Sequence, residues 1–89
     1  SRLISRILEG MAELAVVEGM PARAAVLRGA AAALRDAIGL PVPPCDRDDF
    51  DRAVAALREA LGEAAFAAEW ERGRGLSTAQ AIECALLPN

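Results

Sequence analysis

With 89 residues the chain has room for one small domain, and its hydrophobic share of 54% is deceptive, because 21 of those residues are alanine and only 25 are large side chains. Histidine and tyrosine are absent, all ten basic residues are arginine, and the net charge is −3. These counts exclude histidine-based nucleophilic catalysis and imidazole metal sites, and they remove the aromatic platform that single-stranded nucleic acid needs. They also argue against a binder of phosphate backbones.

Ile4, Ile7, Leu8, Met11, Leu14 and Ala15 recur at three-and-four spacing, which predicts an amphipathic first helix. Gly19 is placed to end it, and Pro21 suits the first turn of the next helix. The second helix, to about Ile38, carries a stripe of Leu27, Ala30, Ala31, Leu34 and Ile38, while Arg23, Arg28, Arg35 and Asp36 fall mostly off it and are expected in solvent. This pair, residues 3–38, should pack antiparallel through Ile7, Met11 and Leu14 against Leu27, Ala31 and Leu34. Residues 39–45, Gly39 through the prolines Pro41, Pro43 and Pro44 to Cys45, cannot continue a helix.

Asp46 is then expected as the N-cap of a third helix, residues 47–61, with Asp48 and Asp49 in its first turn and Phe50, Ala53, Val54, Leu57 and Leu61 on one side. Gly62 separates it from a fourth, residues 63–72, in which Phe66 and Trp70 stand four apart as a core anchor, with Trp70 shielded from water. Gly73-Arg74-Gly75 reads as a helix connection. Ser77 and Gln80 form a capping box for a short fifth helix, residues 78–86, that includes Ile82. The chain is thus read as all-α, about five helices, with a core of Met11, Leu14, Leu27, Ala31, Leu34, Phe50, Leu57, Phe66, Trp70 and Ile82.

Candidate chemistry is thin. The acidic run from Asp46 to Asp51 fails as a calcium loop, because Phe50, Asp51 and Leu57 stand where an oxygen ligand, a glycine and a bidentate glutamate are needed. Gly73-Arg74-Gly75 lacks the preceding strand, lysine and hydroxyl of a phosphate loop. Gly75-Leu76-Ser77 resembles the entry to a helix-turn-helix, but only Leu87-Pro88-Asn89 remain for a recognition helix. Cys45 and Cys84 read as unpaired, and Met11 and Met20 as gap fillers. No catalytic residue, metal ligand or cofactor-binding residue is expected.

Leu8, Met11, Ala12, Ala15, Gly19, Ala24 and Ala31 fall at the spacings of the tetratricopeptide (TPR) repeat, with departures at Arg28, where that repeat has a large apolar residue, and Ala15, where it has an aromatic. With the later Leu61-Gly62, Phe66, Trp70, Gly73, Leu76-Ser77 and Ala81 to Leu86, nearly the whole chain resembles the C-terminal helical region of large, mostly actinobacterial, signal-transduction ATPases and LuxR- or SARP-type transcriptional regulators. The resemblance implies a TPR-like helical bundle at the end of an α-solenoid. It also implies a non-catalytic interaction or effector-sensing role, with ATPase motifs elsewhere in the polypeptide.

The start at Ser1-Arg2-Leu3 has neither methionine nor a signal-peptide layout, so the chain is expected to be a piece of a longer, cytoplasmic protein. Expected partners are proteins: other domains of its own chain, a second copy or a regulatory partner, with neither nucleic acid nor membrane. Two alternatives accompany this reading: a structural homodimerisation module, and a small-ligand sensor with a pocket between the second and third helices.

Overall fold

The architecture follows from an alanine-rich helix that has neighbours on nearly every side. A computed structural model of the chain describes residues 2–39, 42 and 44–86. Five helices follow in order: α1 (Arg2–Val17), α2 (Pro21–Ile38), α3 (Arg47–Leu61), α4 (Glu63–Arg74) and α5 (Thr78–Leu86), with a single 3-10 turn (Pro44–Asp46) before α3. Every residue of α2 from Ala24 to Ala31 is buried. Its two extensive interfaces are with α1 and α4, and α3 and α5 add smaller ones. The result is an all-α five-helix bundle of 29 × 28 × 22 Å. From the proline-rich break, Leu40, Pro41 and Pro43 lie outside the described residues.

Alanine on α2 has no side chain to hold a neighbour away. The α1–α2 seam is therefore built on Leu8, Ala12 and Ala15 against Ala24, Leu27 and Ala31, all buried. This close seam turns α1 away from the expected stripe. Leu14, read from the sequence as core, is 47% exposed, and Ile7 and Ile38 are exposed as well. Met11 and Leu34 pack on the margin of the core. The apolar arc of α1 is wider than one seam can cover, and the small residues, which permit the shortest approach, take its centre.

The α2–α4 interface is closer still. A Cβ at Gly29 would fall on the Trp70 carbonyl oxygen, and one at Gly73 on the Val26 carbonyl oxygen. Gly73 is thus not a break. It is buried inside α4, which runs on to Arg74, because two backbones meet there. Gly62 does make a break, at φ 86 and ψ 156, a region glycine alone adopts readily. Its N–H donates to the Arg58 carbonyl at the end of α3, and its carbonyl accepts from Phe66 N in the first turn of α4.

Further departures concern side chains. Asp46 occupies the cap position of α3, but its carboxylate makes no capping hydrogen bond, because the 3-10 turn sets its backbone helical (φ −102, ψ −2). Phe50, expected in the core, is half-buried and does not pack against it but lines the hollows on either side of α3; the buried members from α3 and α4 are Leu57 and Phe66. Trp70 is also half-buried, its ring 5.5 Å from that of Phe66. On α5 the buried residues are Ala81 and Ala85. Ile82, expected in the core, is 38% exposed, since the short helix turns its alanine face toward α2. At the start of α5, Gln80 N donates to Ser77 Oγ (3.1 Å) and Ser77 N to Gln80 Oε1 (2.9 Å), a complete capping box.

Candidate functional site

Since α3 packs on α2 and α4 and has no extensive interface with α1, an open cleft of about 470 Å³ runs between α1 and α3. One wall is a stripe of α1 at helical spacing, Arg6, Glu9, Glu13 and Val16. The facing wall is the matching stripe of α3, with Asp46, Asp49, Phe50, Ala53 and Ala56. Arg28 and Arg35, two turns apart on α2, form the floor. This cleft lies between the first and third helices, with the second beneath.

Both floor arginines were placed in solvent by the sequence pattern, and both are 6% exposed. That pattern assumed a helix with one free face, whereas the middle of α2 has none. Arg35 is compensated: its Nε and one terminal nitrogen each donate to a different carboxylate oxygen of Glu9, both at 2.9 Å. This two-pronged bond raises the guanidinium's pKa from its already high ordinary value, against the desolvation that lowers it. The charges of Glu9 and Asp46 add to the rise. Arg35 is charged wherever the chain is folded.

Arg28 differs. It forms no hydrogen bond or ion pair with any described residue. Among the described buried side chains no nitrogen or oxygen is sealed off without a partner, so the Arg28 guanidinium nitrogens face the cleft. Of the other cleft charges, Arg6 lies 3.9 Å from Asp46 and Asp49 lies 3.8 Å from Arg52, while Glu13, on the α1 wall, like Arg28 has no ion pair among the described residues. In the sequence Arg28 is indistinguishable from a surface arginine. Its one signal was the departure from the repeat pattern at that position.

A second hollow, about 370 Å³, opens between α3 and α4 beside Phe50, Val54, Phe66 and Trp70. Arg58 covers part of it, its guanidinium carbon 5.1 Å from the Phe66 ring centre and its Nε 3.1 Å from Glu63. Cys45 is exposed and Cys84 half-buried, both as free thiols. Among the described residues, no group of three or more His, Cys, Asp or Glu side chains could hold a metal ion, and no helix is long and apolar enough to cross a membrane. No family model, no curated protein and no solved structure matches the chain.

Proposed function

We propose that the chain is a non-catalytic, TPR-like recognition module that engages protein in the cytoplasm, at the C-terminal end of a bacterial transcriptional regulator or signal-transduction ATPase. The observation that carries this reading is the outer face of α1. Leu3, Ile7, Leu14 and Val17 form an exposed apolar stripe at three-and-four multiples, and Val17 is 82% exposed. In helical repeats each unit presents an apolar face that only a stacked neighbour covers, and a run of exposed large apolar side chains marks such a contact. Ile82 and Leu86 add exposed apolar surface on α5, which borders α1.

The test is Leu14→Glu, with the melting temperature and the light-scattering mass followed from micromolar to millimolar chain. A surface meant for a neighbour predicts an unchanged melting temperature and a wild-type chain that self-associates only weakly. A tight wild-type dimer dissolved by Leu14→Glu would favour the homodimerisation module. Unfolding by Leu14→Glu would place the stripe in the core and end the reading. The purified chain is expected neither to hydrolyse ATP nor to bind duplex DNA.

A second reading, an effector sensor, is favoured by a separate observation: the cleft between α1 and α3 has on its floor a buried cation, Arg28, with no partner among the described residues.

A further inference from the structure

We infer that the α1–α3 cleft is a binding site for a small organic monocarboxylate, whose carboxylate pairs with the Arg28 guanidinium while its apolar body lies along Phe50, Ala53 and Val16. This rests on the sensor reading and names the ligand class.

A buried charge is costly unless paired. Arg35, two turns along the same helix face, meets that requirement through Glu9; Arg28 is equally buried and meets it with no described residue. A guanidinium offers a planar fork of donors matched to a carboxylate, and a carboxylate entering the cleft would complete for Arg28 the pairing that Glu9 completes for Arg35. The cleft volume, about 470 Å³, falls within the range of about 300 to 1,000 Å³ that small-molecule sites occupy.

The remaining charges narrow the class. Glu9, Glu13, Asp46 and Asp49 line the same cleft. With Arg35 committed to Glu9 and Arg6 beside Asp46, Arg28 is the one cleft cation without a partner among the described residues, and it faces a wall on which Glu13 is likewise uncommitted, so the site has room for one added negative charge at most. A phosphate, a nucleotide or an acidic peptide would bring two or more negative charges against those carboxylates. A single carboxylate brings one charge, which Arg28 balances. The apolar lining at Phe50, Ala53, Ala56 and Val16 calls for a hydrocarbon body behind it.

The experiment titrates the chain with hexanoate, its neutral counterpart hexanamide, and hexyl phosphate, following the backbone amide signals of Gly10, Ala53 and Ala56 by NMR. Hexanoate is expected to shift these signals saturably and more tightly than either of the others. Arg28→Met should weaken it by about tenfold or more, the loss expected for a charged hydrogen-bonded pair, while Arg28→Lys loses less and Arg72→Met, on the exposed side of α4, changes nothing. Thermal melts of each variant show that it is folded; if Arg28→Met is not, Arg28→Gln replaces it. Equal binding of hexanoate and hexanamide overturns the carboxylate assignment and leaves the sensor reading standing. Absence of saturable shifts with any probe overturns both. Tighter binding of hexyl phosphate also overturns the proposal, since the acidic wall would then not select.

Discussion

Adding one methyl group at two glycines of the same chain should move stability in opposite directions. Gly10 lies mid-helix in α1 with nothing within 4 Å of the Cβ it would gain, so Gly10→Ala is governed by backbone entropy and should stabilise by about 0.5 to 1 kcal/mol. Gly73 also lies within a helix and would gain the same propensity, but its Cβ falls on the Val26 carbonyl, with the carbonyl carbon at 2.8 Å and Ala30 N at 3.0 Å. Carbon atoms pack best at about 3.5 to 4 Å, so α2 and α4 must separate along one of the bundle's two most extensive interfaces. Overpacking of this kind costs about 1 to 3 kcal/mol, and backbone atoms cannot swing aside as side chains do. Since the propensity gain is common to both, the two variants should differ by the overpacking cost, about 1 to 3 kcal/mol, a gap of roughly 5 to 20 °C in melting temperature for a domain of this size. Circular dichroism melts of the two variants and the parent decide it. A Gly73→Ala chain that melts at or above the parent would refute the close crossing of α2 and α4.

Glu9→Gln should cost about 3 kcal/mol or more in urea unfolding by leaving Arg35 buried and half-paired, whereas Glu9→Leu with Arg35→Met should cost less than either single change; equal, additive losses would show that the pair is not buried. Trp70, half-buried against Phe66, should emit between the buried and water-exposed extremes and be partly quenched by iodide, and Trp70→Ala should cost about 2 kcal/mol, below the 3 to 5 of a fully buried tryptophan; an unquenched, fully blue-shifted spectrum would contradict its placement. Ser77→Ala should cost about 1 kcal/mol and speed amide exchange first in α5, because it removes the hydroxyl that accepts from Gln80 N; unaltered exchange there would mean that the box does not hold the helix end.

Local chemistry made the elements legible. Gly19 closes α1 by a signature that needs no tertiary information: its N–H donates to the Val16 carbonyl and the following Met20 N–H to the Ala15 carbonyl. Pro21 at the start of α2 and the Ser77–Gln80 box at the start of α5 are equally local, because all their partners lie within a few residues. The all-α class follows from the same short-range periodicity.

What the sequence could not decide was which side of each helix faces which neighbour. On α1 periodicity favoured a stripe through Ile7, Met11 and Leu14, and on α5 Ile82 over Ala81, because it weighs large apolar side chains and is blind to how closely two backbones can approach. Closest approach settled both in favour of the small residue. The same cause concealed Gly73, whose place inside α4 depends on the Val26 carbonyl of a helix more than forty residues earlier. It also concealed the cleft. The sequence determined that α2 carries arginines at 28 and 35. Only the packing of four helices around α2 covered most of both side chains, set Glu9 against one guanidinium, and left the other opening into the cleft. A pairwise charge interaction acts over a few ångströms in space, and chain position alone does not reveal which charges the fold brings that close.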